Sequence, residues 1–244
     1  MSQPMKATET PLFTAAKDRI SCYQLSDTSP VRDSRIHEIV GFAVKHTPSS
    51  FNVQSARAVI LLKDEHKALW DLADDVAKAT VPEAHEKMLA KMIQGFRAAY
   101  GTILLLEDQD SLESLRAKYA LFGHLVPEWS EASSGMHQYL IWTALQLEGL
   151  GCNLQHFNFM PEFTDAVRER WDLPKTWELK SQLVFGAPSD GRMVRKRERT
   201  YLPLEGRSLA PYLRPDSVNL NSDADDPSDA GRTAYQLSPG QGVG

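Results

Sequence analysis

Three short runs of this chain are apolar at almost every consecutive position, and they constrain what it can fold into. They are Ala58-Val-Ile-Leu-Leu62, Thr102-Ile-Leu-Leu-Leu106 and Ser181-Gln-Leu-Val-Phe185. Each is too short for a stable helix and is bounded by polar or glycine-bearing segments, so each reads as a buried strand. Elsewhere the apolar period changes to that of a helix. Ile36, Ile39, Val40, Ala43 and Val44 form a stripe on a helix beginning at Asp33 or Ser34, either able to cap it, and ending before Pro48. Leu69, Leu72, Ala73 and Val76 form a second stripe, and Met88, Leu89, Met92, Ile93 and Phe96 a third. The third helix starts near Thr80, where Thr80-Val-Pro-Glu83 has the form of a capping box. A long helix is expected from about Ser134 to Glu148, ended by Gly149 and Gly151. A short strand, Asn153-Leu-Gln155, follows, then a small helix over Phe163, Ala166, Val167 and Arg170 that stops before Pro174. Strands and helices are interspersed without consecutive hairpins or an internal repeat. That order predicts an α+β sandwich with helices packed on a central sheet.

The bulk properties remove several function classes. The 244 residues carry a net charge of −5, which argues against a nucleic-acid partner, since no domain-wide positive field meets a phosphate backbone. Two cysteines, Cys22 and Cys152, supply neither a disulfide framework nor a cysteine-rich zinc site. The N-terminus has no apolar run behind its charges, and no stretch reaches the ~18–20 apolar residues of a membrane span. A soluble protein is expected, cytoplasmic and also nuclear as an option, with no membrane partner. Residues 1–14 read as a flexible N-terminus, 15–207 as the domain, and 208–244 as a disordered acidic tail too poor in apolar residues to offset its ordering entropy.

Familiar catalytic signatures are missing. Gly149-Leu-Gly151 ends a helix where a dinucleotide fingerprint opens one. No Walker A loop, HExxH or GxSxG occurs, and none of the seven histidines has an i+4 partner, so no metal is expected. Cys152 reads as a small core residue. Three polar segments remain. Arg19-Ile-Ser-Cys-Tyr23 sets a guanidinium two residues from a hydroxyl. Thr47-Pro-Ser-Ser-Phe-Asn-Val-Gln54 crowds hydroxyls and amides at a helix end. Arg192-Met-Val-Arg-Lys-Arg-Glu-Arg-Thr-Tyr201 is the densest basic run. Each alone could be a solvated turn or face. Together they offer phosphate-binding and polar groups but no nucleophile, an inventory suited to a bound cofactor that carries the reaction.

At these residues the chain resembles the nitroreductase family, most closely its fungal nitroreductase-like subgroup, from about Ala15 to Leu204. Arg19-Ile-Ser-Cys-Tyr23 and Pro48-Ser-Ser-Phe-Asn-Val-Gln54 match two of its motifs. Trp142-Thr-Ala-Leu145 with Gly149 to Asn158 is similar to its dimer helix and flavin-edge strand. Ser181 to Pro188 and Arg199-Thr-Tyr201 are similar to its closing strand and C-terminal phosphate contact. The resemblance implies a three-layer sandwich, a central mixed sheet flanked by helices, that dimerises around two FMN molecules. Carried over by position, Arg19 and Ser21 would hold the FMN phosphate and ribityl chain, with Ile20 and Tyr23 beside them and Arg197 or Arg199 adding a second cation. Pro48, Ser49, Ser50 and Asn52 would reach the flavin from the partner subunit, with Gln54 as a further contact. The backbone at Gln155 and His156 would face the flavin N5 edge. No catalytic side chain is expected, because FMN carries the chemistry.

The resemblance further implies NADH or NADPH as donor and a planar small-molecule acceptor, such as a nitroaromatic or quinone, reduced in a ping-pong cycle. Two alternatives keep the FMN: a dehydrogenase or oxidase of a biosynthetic intermediate, and a low-turnover flavin-binding regulator of the oxidative-stress response.

Overall fold

The structure is a computed structural model that describes residues 10–191 and residue 193. Seven helices and four strands are found among these residues. α1 is Pro11–Asp18, α2 Asp33–His46, α3 Lys63–Thr80, α4 Glu83–Arg97, α5 Gln109–Lys118, α6 Val126–Leu147 and α7 Pro161–Arg170. The strands are β1 Ala56–Leu62, β2 Gly101–Asp108, β3 Gly151–Gln155 and β4 Trp177–Gly186, in the sheet order β1-β2-β4-β3. The three ladders are antiparallel. The sheet is therefore antiparallel, not the mixed sheet expected, and among the described residues the one parallel pairing is the isolated bridge of Ser21 to Cys152 beyond β3.

All three apolar runs lie within strands, and β2 shows why its run is continuous. Every residue of β2 is buried. Ile103 and Leu105 pack with α2 and α6 residues such as Ile36, Val40, Ile141 and Leu145. Leu104 and Leu106 pack on the other face with Leu69, Trp70, Ile93 and Phe163 of α3, α4 and α7. Alternate side chains therefore enter two separate cores, and a strand covered on both faces has no solvent side to mark with polar residues. The result is the expected helix–sheet–helix sandwich.

Five local expectations are corrected. Arg32 is the N-cap of α2, and Asp33, already helical, accepts hydrogen bonds from the Tyr100 hydroxyl and from Lys63 Nζ. Those partners, Tyr100 foremost, hold its carboxyl below the usual range. Thr80 forms no capping box, because it is still the last residue of α3 and its hydroxyl donates back to the Val76 carbonyl. α6 begins at Val126, well before Ser134, with a proline in its first turn. Gly149 ends it with φ at 87°, whereas Gly151 belongs to β3, where a Cβ would strike Cys22 and Leu25. Residues 11–14, expected to be loose, form the start of α1, with Thr10 Oγ1 accepting from Phe13 N–H.

The α3 layer contains a buried polar relay. His66 Nε2 lies 3.1 Å from the Phe96 carbonyl and Nδ1 lies 2.9 Å from Thr102 Oγ1, which also accepts from Trp70 Nε1. A carbonyl only accepts, so Nε2 carries the proton and the ring is neutral. Burial pushes the imidazole down to about 4. A lowered pKa means the unfolded chain takes up the proton first as pH falls. The stability due to neutral His66 is therefore complete above about pH 6.5 and is lost towards pH 4, a span of about 3 kcal/mol. Thermal melts of wild type and His66→Gln between pH 7 and 4 should converge as pH falls. Parallel curves would contradict this assignment.

Candidate functional site

The predicted site residues gather in two sets, and α6 shows how far apart they lie. The first set adjoins β3. Arg19 caps the end of α1, and its guanidinium lies 4.2 Å from the centre of the Trp142 ring on α6. Gln146, one turn further along α6, brackets this segment: its Oε1 accepts from Ile20 N–H at 2.9 Å and its Nε2 donates to the Asp18 carbonyl at 2.7 Å. Ser21 is exposed and pairs with Cys152, while Cys22 N–H donates to the Cys152 carbonyl at 2.8 Å. Tyr23 is 60% exposed. Gln155 is buried at the end of β3, and His156 is exposed in the turn that follows. Arg19, Ile20, Ser21, Tyr23, Gln155 and His156 thus share one edge of the sheet.

The second set precedes β1, at the opposite edge. Ser50–Asn52 makes a short 3-10 turn, and Phe51 and Asn52 in it and Gln54 just after it have φ values of 52°, 54° and 51°. Three left-handed non-glycine residues within four positions are strained, at about 1–3 kcal/mol each, and such strain persists only where surrounding contacts impose it. Those contacts are present. Ser49 Oγ accepts from Gln54 N–H at 3.0 Å, and Ser133 Oγ of α6 donates to the Pro48 carbonyl at 3.2 Å. The Phe51 ring stacks on Tyr119 with centroids 4.3 Å apart, and buried Ser55 donates to Glu107 at 2.5 Å. Burial holds the Glu107 carboxyl above its ordinary range. Beside the turn, Ser49, Gln54, Lys45 and Arg57 line a cleft of about 600 Å³ between α2 and β1. Asn52 and Gln54 are exposed, and Pro48 faces solvent as well.

Ser133 holds the second set and Gln146 the first, thirteen residues apart on one helix, which is roughly 20 Å at ~1.5 Å per residue. The sheet separates them too, by three strand spacings of ~4.8 Å. Within one chain the sets do not face each other. Arg197 and Arg199 lie outside the described residues.

Sequence reasoning missed the groups that hold these segments, namely Trp142, Gln146, Ser133 and the buried amides of Asn153 and Gln182. Nothing in spacing distinguishes Gln146 from any other polar residue of a helix. The left-handed run was equally hidden, for only Asn52 is of a type enriched in that conformation. Cys152 is a fully buried core residue, and burial raises its thiol far above the usual value.

The fold and these motifs coincide with a profile described as the Nitroreductase family, which matches residues 16–187. The chain belongs to the nitroreductase family. The nitroreductase FRM2 of Saccharomyces cerevisiae is 34% identical to it over 179 residues, spanning 72% of this chain and 88% of FRM2. Among solved structures, nitroreductase CinD from Lactococcus lactis in complex with chloramphenicol is 35% identical with a TM-score of 0.71, covering 82% of this chain and 98% of CinD. CinD has also been solved in complex with nicotinic acid and with 4-nitrophenol. A protein of Desulfovibrio desulfuricans in complex with FMN shares the fold, at 16% identity and a TM-score of 0.55, covering 80% of this chain and all of that one. The yeast likeness bears out the fungal nitroreductase-like subgroup, and this family member is an oxidoreductase enzyme of the nitroreductase type. No helix among its described residues is long and apolar enough to cross a membrane.

Proposed function

We propose that this nitroreductase is an FMN-dependent NAD(P)H oxidoreductase that works as a homodimer and reduces planar acceptors such as nitroaromatics or quinones. The observation that carries the proposal is the division of the site into two polar sets about 20 Å apart along α6. A two-fold axis that lays α6 antiparallel against its copy brings the Ser133 end of one helix to the Gln146 end of the other. Each first set then meets a partner's second set, and two equivalent sites form. Met136, Tyr139 and Leu147 on α6 and Phe42 on α2 are 43%, 41%, 72% and 59% exposed, an apolar surface that such pairing would cover.

The donor set fits FMN. Arg19, with its charge delocalised and its guanidinium held over the Trp142 ring, suits a phosphate, and the Ser21 hydroxyl suits the ribityl chain. Ile20 lends its backbone and Tyr23 its ring to the same edge, and Arg197 or Arg199 adds a second cation. Pro48, Ser49, Ser50 and Asn52 line the ring from the partner, with Gln54 behind them, and the Gln155–His156 backbone borders the N5 edge. When bound, FMN accepts a hydride from NADH or NADPH and returns electrons to an acceptor in a ping-pong cycle. The chain's share is to orient both ring-shaped reactants on one open face and to offer cations to the reduced cofactor. CinD's complexes with 4-nitrophenol and nicotinic acid support a site that takes small planar rings.

Subunit complementation tests the shared site. Arg19→Ala and Asn52→Ala homodimers should each bind FMN weakly. Mixed and allowed to exchange chains, they should regain tight binding at up to one site per heterodimer, because one pairing carries both intact sets. Mixtures that stay as weak as the parents would place the whole site within one chain.

A further inference from the structure

We infer that three buried amides, Asn153, Gln155 and Gln182, are positioning residues that tie the turn after β3 to the Arg19–Tyr23 segment, so that both meet the cofactor as one rigid edge. The inference rests on the flavin site proposed above but concerns the side chains of Asn153, Gln155 and Gln182, to which that proposal gives no role. On the sheet face towards α3, α4 and α7 they stand among Leu104, Leu106, Val184 and Phe157, apart from the His66–Thr102 relay further along β2. Asn153, Gln155 and Gln182 are only 1%, 8% and 0% exposed. A leucine at any of the three would bury more apolar surface, so the amides need a reason to be there.

Their hydrogen bonds supply it. Asn153 Nδ2 donates to the Cys22 carbonyl at 2.8 Å, and Asn153 Oδ1 accepts from Gln155 Nε2 at 2.8 Å. Gln155 is paired across the ladder with Gln182, whose Oε1 accepts from Phe157 N–H at 2.6 Å. The β3 ladder ends at Gln155, so the Phe157 N–H points past the last strand pair, and the Gln182 side chain takes the place of a backbone acceptor. Cys22 lies in the segment that carries Arg19 and Ser21, while Phe157 closes the turn containing His156. Asn153 and Gln155 therefore tie the phosphate-side segment to β3, Gln182 ties the N5-side turn to β4, and the β3–β4 backbone ladder joins the two, with Gln182 Nε2 left without a hydrogen-bond partner among the described residues. Gln155 also keeps its side chain inward by this bond, which leaves its backbone as the part that borders the flavin.

Gln182→Met, close in shape but without the acceptor, tests the role in full-length protein. Hydrogen exchange at the Phe157 amide, read without FMN, should quicken about tenfold or more as the turn is released. With FMN bound, the visible absorption envelope should change, and flavin reduction by saturating NADH or NADPH should slow roughly tenfold, since small misplacements at a reacting atom carry large rate losses. The FMN dissociation constant should change less than about threefold, because Arg19 and Ser21 are untouched. Gln182→Glu, which keeps the oxygen, should restore exchange protection and most of the rate. If Gln182→Met does not fold, Asn153→Leu takes its place, with weakened FMN affinity as its expected result because Cys22 is untied. Wild-type exchange at Phe157 in Gln182→Met overturns the inference. So does a released Phe157 amide with an unchanged spectrum and rate, which would leave the amides as packing alone. Wild-type protein that takes up no FMN defeats the flavin proposal instead, and Phe157 exchange still decides whether the amides hold the turn.

Discussion

Arg19→Ala is expected to strip the protein of most of its cofactor, weakening FMN affinity about 30- to 100-fold, or ~2–3 kcal/mol. The loss is large because the guanidinium is prepared for its task before any ligand arrives. It sits over the Trp142 ring, 4.2 Å from the ring centre, and the Gln146 amide holds the backbone on either side at Asp18 and Ile20. A charged hydrogen bond made by a fixed donor keeps more of its strength than one made by a free side chain, since less side-chain entropy is lost on binding. Fluorescence quenching of FMN titrated with protein measures the change. Lys17→Ala, an exposed cation two residues away, serves as the control and should bind within a factor of about two of wild type. Arg19→Ala protein with full flavin occupancy at low FMN would remove Arg19 from the phosphate site. The same titration on Arg199→Ala decides whether that residue is the second cation.

The largest effect on stability is expected at Trp70. Its ring is fully buried between Phe96 and Phe157, with centroids at 4.9 and 5.2 Å, and its indole N–H donates to Thr102. Trp70→Ala removes that packing, leaves a cavity and unbinds one member of the His66 relay, at a combined cost of about 3–5 kcal/mol. For a domain of this size that lowers Tm by roughly 10–15 °C. Trp70→Phe should recover about half of the loss, because it refills much of the volume but not the hydrogen bond. Differential scanning calorimetry of the three proteins gives the comparison. A Trp70→Ala melting point within 3 °C of wild type would show that the α3 layer is not the main core of this face.

How much of this was legible in the sequence depended on whether one residue's surroundings were repeated along its neighbours. The β2 run and the α2 stripe could be read directly, because burial there recurs with the period of the backbone. α6 began earlier than its apolar stripe suggested, for Ser130, Ser133 and Ser134 are buried against other parts of the protein and polar residues leave no apolar signature. Thr80 had the sequence of a cap but was claimed by the helix before it. The polar motifs Arg19–Tyr23 and Pro48–Gln54 were visible as candidates, yet their separation to opposite edges of the sheet is a property of the sheet order and of no local pattern. The buried amides were invisible for the same reason: Gln182 answers a backbone N–H twenty-five residues away in sequence.

The most direct test of the central claim is the visible absorbance spectrum of the purified protein, followed by anaerobic addition of NADH and NADPH. Bands at about 370 and about 450 nm that either nucleotide bleaches are the expected result for a flavoprotein reductase. A colourless protein that cannot be reconstituted with added FMN would contradict the account at its centre.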